Sequence, residues 1–233
     1  MNQTETNLVI EWYKELEDRL NQFLRTIPIN WNYHAVLPLL AGIIADAGGL
    51  VDSILRREFD LTGSQKKRQN LRIKDFHDYY ENRFSLSSKN TFIYQHPPVL
   101  LNPFREWSFP SYKEESELEW WQSYNKIKHE RIDHYAKCTL SNGVLSLCAL
   151  HQLFSVLPCF FRSLIAHDMI RLQGYAIPYA IECVEQRNKD MPFMVETLLF
   201  ATPYGKHRFP DDIENISGAI LRSSKRLQQF VGK

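Results

Sequence analysis

The sequence predicts an all-α protein. Apolar residues recur at three- and four-residue spacing over residues 5–26, 34–59 and 139–166, which is the period of an amphipathic helix. No pair of short alternating segments joined by a turn stands out, and neither does an internal repeat. With 44 % hydrophobic and 24 % charged residues among 233, the composition is typical of a folded globular protein with a full core.

The first two predicted helices have clear boundaries. The first, over residues 5–26, ends before Pro28, because proline cannot continue a helix. The second, over 34–59, is much more apolar and holds Pro38 in its first turn, where proline is tolerated. Asp46 lies at the edge of its apolar stripe, where a carboxylate normally has a partner. We interpret Asp46 either as a group that orients a base or binds a cation, or as a solvated or locally paired carboxylate.

The middle of the chain changes character twice. Residues 66–84 predict a helix with a basic start and aromatic residues further along, a pattern that serves nucleic acid or forms a solvated face. Residues 85–111 lose the helical period and contain four prolines, so they predict a long loop that is functional or packed over the core. The aromatic residues of this loop favour packing, and a small-nucleotide pocket beneath it is the alternative.

The remaining segments complete the predicted architecture. Ser116 and Glu119 have the spacing of a capping box, which predicts the start of another helix. We predict a helical bundle over residues 1–167, with the loop insertion at about 85–111. Residues 168–233 are predicted to form a C-terminal helical extension packed on the same domain. Prolines divide that extension into short helices near 178–188, 192–200 and 211–230.

Charge, cysteines and hydropathy limit the classes of partner. The formal charge of +1 argues against a general polyanion binder but allows a local basic groove. The four cysteines show no zinc-like spacing, so we expect reduced thiols and no metal. Residues 143–161 are uncharged and long enough to cross a bilayer, but their polar residues and proline favour a buried bundle helix. With no signal-peptide pattern at the N-terminus, we expect a cytoplasmic protein without a membrane partner.

The segment 120–131 carries most of the candidate chemistry. Its candidates are Trp121, Tyr124, Asn125, Lys128, His129 and Arg131. On a helix, residues four apart share a face, so Asn125 lies beside His129. By the same rule Tyr124 lies beside Lys128, and Arg131 falls close to the same side. Such a face is suited to an anionic group, although an ordinary helix held by aromatic anchors fits the same pattern.

Other catalytic motifs are missing from the sequence. It contains no Gly-rich phosphate loop, no GxSxG elbow, no HExxH pair and no cluster with metal-ligand spacing. These absences exclude most well-marked enzyme classes, and we expect no cofactor.

In motif and helix order, the segment resembles the HEPN superfamily (higher eukaryote and prokaryote nucleotide-binding). The usual HEPN pattern is an Arg, a polar residue, a few more residues and then His. The six residues Tyr124-Asn125-Lys126-Ile127-Lys128-His129 are similar to that frame, with Tyr124 where the Arg stands. The resemblance covers residues 34–60 and 112–166, including the long apolar helix that follows the motif.

The resemblance implies an RNA-binding protein or a metal-independent ribonuclease, often dimeric, of a prokaryotic defence or toxin–antitoxin system. It makes His129 the proton carrier and Asn125 its polar orienter, with Lys128 or Arg131 supplying positive charge. A twofold homodimer would double that charge. The candidate substrate-binding residues are Trp121, Tyr124 and Asp46. Core or interface anchoring is the alternative for the tryptophan, and a structural histidine is the alternative for His129.

Two other hypotheses stay open. Arg162 and His167 have the spacing Arg, four residues, His, and read Arg-Ser-Leu-Ile-Ala-His. This pair ranks second because it ends the long apolar helix instead of preceding one. The alternative function is a catalytically inactive helical scaffold that binds another protein, which Tyr124 in the Arg position and the near-neutral charge favour.

Overall fold

The computed structural model describes residues 1–60, 67–95, 97–171, 177–185, 193–204, 208–211, 213–216 and 224–231. Within these residues the helices, in chain order, are α1 (Gln3–Leu24), α2 (Ile29–Asn32), α3 (Leu40–Glu58), α4 (Ile73–Phe84), α5 (Glu119–His129), α6 (Leu140–Val156), α7 (Phe161–Ala166), α8 (Ile177–Glu185) and α9 (Lys225–Val231). The strands are β1 (Thr91–Ile93), β2 (Val99–Leu101), β3 (Ile170–Arg171), β4 (Met194–Glu196) and β5 (Phe200–Pro203).

The helices form where the sequence repeats apolar residues at helical spacing. Helix α6 lies at the centre of the bundle, buried around its circumference, and packs against α1, α3 and α5. It ends at Val156, with Leu157 as its C-cap, because Pro158 follows, and the next helical segment, Pro158–Ala166, turns away by 85°. The apolar segment 139–166 is therefore divided between two helical segments that meet at Pro158. No single helix among the described residues is long and apolar enough to cross a membrane, and these two segments reach that composition only together.

A five-stranded antiparallel sheet overturns the all-α prediction, and the fold is α+β. The strand order is β2-β1-β5-β4-β3, and β1 meets β5 with Phe92 opposite Ala201. One face packs on α6, where His151 contacts Phe200. The other face packs on α9, with Phe230 against Phe92. The sheet is therefore a layer between the bundle and the last helix.

Burial explains why the sequence did not reveal these strands. Strands β1, β4 and β5 are three or four residues long and buried on both faces, so they lack the alternation that marks a half-exposed strand. The prediction of a purely helical extension over 168–233 is wrong, because β3, β4 and β5 lie in it. The predicted helix at 192–200 is instead a β-hairpin. Of the helix predicted near 211–230, residues 212 and 217–223 lie outside the described residues, Ile213–Asn215 form a single 3-10 turn, and α9 forms the end.

The segment 85–111 is not an irregular loop throughout, because it contains β1 and β2. Its aromatic residues are buried, as predicted: Phe92, Phe104 and Trp107 are fully enclosed. The rings of Phe104 and Trp107 lie 4.9 Å apart, and Phe104 meets Trp120 of α5 at 5.9 Å. Rings packed in this way are not free to stack a base, so the burial argues against the nucleotide-pocket alternative.

Candidate functional site

Helix α5 presents a buried face and an exposed face, as its sequence predicts. The buried side chains are Trp120, Trp121, Ser123, Tyr124 and Ile127. The exposed side chains are Glu119 at the start of the helix and Asn125, Lys126, Lys128 and His129 towards its end, with Arg131 exposed just after the helix ends. The predicted capping box is wrong, because the Ser116 hydroxyl accepts from the backbone N–H of Lys113 (3.1 Å) and Leu118 occupies the N-cap.

Tyr124, which stands where the predicted motif would have its arginine, is a core residue. Its side chain is 2 % exposed and lies against Gly48 of α3, where an added methyl group would clash with the ring. Glycine at 48 therefore allows α3 and α5 to approach closely. The Tyr124 hydroxyl accepts a hydrogen bond from the Lys128 ammonium at 3.1 Å. That hydrogen bond raises the pKa of Lys128, so its ammonium stays charged and is held in place.

Burial also decides the role of the tryptophans. Trp121 is buried, with its ring 5.7 Å from Trp120 and 5.4 Å from Tyr124. Trp120 donates its indole N–H to the carbonyl of Pro103 at 2.7 Å. The substrate-binding roles expected for Trp121 and Tyr124 are therefore corrected, because neither ring is exposed for stacking and both anchor α5.

Asp46 does not join the α5 residues. It lies two positions from Gly48 on α3, a rotation of about 200° that places it on the opposite side of the helix. Its carboxylate is 3.6 Å from the Arg19 guanidinium and largely exposed. Both side chains line a groove of about 520 Å³ between α1 and α3. This geometry favours the alternative of a locally paired surface carboxylate, and the substrate-binding role of Asp46 stays a prediction.

The exposed face of α5 is open. Asn125 and His129 are one turn apart and both exposed, as the spacing predicts. Glu130, which follows His129 in the chain, lies 3.2 Å from the His134 imidazole, and the Asp52 carboxylate of α3 acts on the Lys128 charge. Neither the groove at Asp46 nor the groove described next is lined by an α5 residue. The face is therefore suited to an extended ligand and not to an enclosed small molecule.

The second-ranked histidine lies in a different setting. His167 follows α7 and is half-buried, with its Nδ1 3.2 Å from the Lys14 ammonium of α1. Burial lowers the pKa of His167, and the neighbouring Lys14 charge lowers it further. Arg162 is exposed on α7 and does not line the groove on which His167 opens.

That groove, of about 870 Å³, is the feature that sequence reasoning missed. Its walls are residues 14, 17 and 18 of α1, residues 167–170, residues 196–198 of the hairpin and residues 224–226. These segments are far apart along the chain, and His167 was the only residue among them that a motif had singled out. Within the described residues, no group of three or more His, Cys, Asp or Glu side chains is arranged to hold a metal ion.

Comparison of the chain with protein-family models, with curated proteins and with solved structures gives no match. The HEPN resemblance therefore stays a prediction that rests on the six residues of the motif and on the order of the helices around them.

Proposed function

We propose that the chain binds RNA through the exposed face at the end of α5, here called the α5 basic face: Asn125, Lys126, Lys128, His129 and Arg131. One observation carries the proposal: four basic side chains within six residues are exposed together. Lysine and arginine bind nucleic acid mainly by neutralising backbone phosphates, which needs an open surface and no deep pocket.

Each residue of the face has a distinct role in this proposal. Lys128, held by Tyr124, contributes a fixed positive charge to a phosphate. Arg131 contributes a planar guanidinium that binds two phosphate oxygens at once. Asn125 and His129 lie beside these phosphate-binding side chains on the exposed side of α5. There the His129 imidazole can move the proton of a ribose 2′-hydroxyl.

Metal-independent cleavage is the further part of this proposal and rests on the HEPN resemblance. Because Tyr124 is buried in the place of the arginine, cleavage requires Arg131 or Lys128 to stabilise the charge that develops on the phosphate. A cytoplasmic location, a defence or toxin–antitoxin setting and a homodimer that doubles the basic face belong to the same proposal.

The test is RNA binding and cleavage by the purified chain and its variants. Lys128→Ala is expected to weaken binding to a single-stranded RNA, and His129→Ala is expected to remove cleavage while retaining most of the affinity. Lys74→Ala, an exposed lysine on α4, is the matched control. The assignment is wrong if RNA affinity and cleavage are the same in all three variants, provided their circular dichroism shows that they are folded.

A protein-binding scaffold is the second candidate function, because exposed apolar residues lie near the same end. Leu39 is 72 % exposed, Ile132 87 % and Tyr135 61 %. Backbone pairing between Val36 and Thr139 brings their two segments together. Apolar side chains exposed in one region mark surfaces that other proteins cover.

Salt dependence separates the two functions, because RNA binding through several phosphates weakens steeply with salt and an apolar protein interface does not. Under the scaffold function, Ile132→Ser and Tyr135→Ser are expected to abolish self-association or partner binding in light scattering. Leu8→Ser on α1, another exposed apolar side chain, serves as the control. Unchanged association in the first two variants would reject the scaffold.

A further inference from the structure

The groove at His167 has no part in the RNA binding proposed for α5. Its volume of about 870 Å³ falls within the usual size of small-molecule sites, roughly 300–1,000 Å³. Four separate segments form its walls, and each contributes polar groups. The question is which of those groups are already engaged within the protein and which are available to a ligand.

The carboxylate of Glu17 is engaged at the floor of the groove. It accepts hydrogen bonds from the backbone N–H groups of Leu198 (3.1 Å) and Leu199 (2.9 Å) and from the Tyr13 hydroxyl (2.8 Å). The Thr197 hydroxyl donates to the same carboxylate. Burial raises the pKa of Glu17. Glu17 therefore attaches the tip of the β4–β5 hairpin to α1.

Arg226 and Glu196 are also engaged in holding the hairpin. The Arg226 guanidinium donates to the carbonyls of Thr197 and Leu198, both at 2.6 Å, and lies 3.7 Å from the centre of the Tyr94 ring. Glu196 accepts hydrogen bonds from the hydroxyls of Tyr94 and Ser224. These contacts stabilise the shape of the groove.

The wall formed by Lys14 and His167 is different, because it has hydrogen-bond donors to offer. An ammonium only donates, so Nδ1 of His167 is the acceptor of the 3.2 Å contact and the ring proton is on Nε2. Lys14 then has two further N–H donors, and His167 has its Nε2–H. The left-handed backbone of Asp168 (φ 56°) fixes the turn that carries His167.

The charges around this wall limit the ligand. Lys225 adds an exposed positive charge from the start of α9, whereas Asp18 and Asp168 add carboxylates to the same groove. These carboxylates repel negative charge, so they oppose a polyanion such as RNA and leave room only for one compact anionic group in direct contact with the Lys14 and His167 donors. Leu198, a large apolar residue that is 41 % exposed at the hairpin tip, offers a surface for an apolar remainder.

We propose that this groove binds a small molecule with a single anionic head group, a phosphate monoester or a carboxylate. The head group accepts hydrogen bonds from the Lys14 ammonium and from Nε2–H of His167, and the apolar part of the ligand contacts Leu198.

Calorimetric titration of the full chain with phenyl phosphate, benzoate and neutral benzyl alcohol tests the proposal. At least one anionic probe is expected to bind with a Kd below about 10 mM, roughly tenfold or more tighter than benzyl alcohol. The tighter of the two anions identifies the head group. Failure of both anions to bind, or equal binding of benzyl alcohol, overturns the proposal.

Variants locate the binding. Lys14→Met keeps the alkyl stem and is expected to weaken the anionic probe by roughly tenfold, and Lys225→Met by a smaller factor. Lys74→Met on α4 is the control and is expected to bind like the wild type. Undiminished binding in folded Lys14→Met overturns the proposed site. RNA affinity is expected to be the same in Lys14→Met as in the wild type, so failure of the groove and failure of the α5 basic face are separable.

Discussion

The α5 basic face and the groove at His167 differ in what holds them in place. Helix α5 is anchored by apolar packing of side chains that are neighbours on one helix, with Tyr124 set against Gly48. The groove is held by polar contacts between segments far apart along the chain, with Glu17 and Arg226 attaching the hairpin. A surface of the first kind follows from local spacing, whereas a surface of the second kind exists only once the chain is folded.

The largest expected effect comes from removing the polar contacts that attach the hairpin to α1 at the groove. Glu17→Ala leaves the part-buried N–H of Leu198, the buried N–H of Leu199 and the buried Tyr13 hydroxyl without this acceptor, which is expected to cost about 3–5 kcal/mol of unfolding free energy. Urea denaturation measures the change. Glu15→Ala, an exposed glutamate on the same helix, is expected to change stability by less than about 0.5 kcal/mol. Equal effects of the two variants would show that the hairpin is not held by Glu17.

The second prediction compares a buried and an exposed histidine. His151 lies under the sheet, donates to or accepts from the Thr202 hydroxyl at 3.0 Å, and burial lowers its pKa to about 3 from 6.5. The His151 ring is protonated at a higher pH in the unfolded chain than in the folded chain. The folded state therefore has its full stability above pH 6.5 and loses stability as the pH falls towards 3. By about pH 4.5 this group alone is expected to remove about 2–3 kcal/mol.

His151→Gln is expected to lose that much less stability than the wild type between neutral pH and about pH 4.5, measured by urea denaturation at each pH. His129→Gln on the exposed end of α5 makes the same replacement at the surface and is the control. Parallel pH profiles for the wild type and His151→Gln would contradict the buried, neutral state of His151.

The third prediction breaks the apolar anchoring of α5. Gly48→Ala places a methyl group against the Tyr124 ring and is expected to cost about 1–3 kcal/mol and to alter the near-ultraviolet circular dichroism of the aromatic residues. The adjacent Gly49 has no atom within 4 Å of such a group. Gly49→Ala is therefore expected to stabilise α3 by about 0.5–1 kcal/mol. The same sign for both variants would contradict the close approach of α3 and α5.

The smallest expected effect comes from removing the contact that holds Lys128 on the α5 basic face. Tyr124→Phe keeps the packed ring but removes the hydroxyl that holds Lys128, so the unfolding free energy is expected to change by less than about 1 kcal/mol. RNA affinity is expected to fall slightly, because the Lys128 charge remains but is no longer fixed. A large loss of stability, visible in thermal denaturation, would show that the hydroxyl has a structural role beyond this contact.

The difference between the two regions also shows what could be predicted from the sequence. Helices α1, α3 and α6 follow from apolar spacing, and the break before Pro158 follows from proline chemistry. The sheet did not follow, because its strands are short and buried on both faces. Glu17 gave no sign of its role, because it lies among other charged residues on an amphipathic helix and is buried only by the distant hairpin.

The most direct test of the proposed function is the salt dependence of affinity for a single-stranded RNA. The logarithm of the binding constant is expected to fall linearly with the logarithm of the salt concentration. Replacing Lys126, Lys128 and Arg131 together by methionine is expected to reduce the slope by about 2–3. The matched triple replacement of Lys67, Arg72 and Lys74, which precede or begin α4, is expected to leave the slope unchanged. An unchanged slope in the α5 variant, or a reduced slope only in the α4 variant, would contradict RNA binding at the α5 basic face.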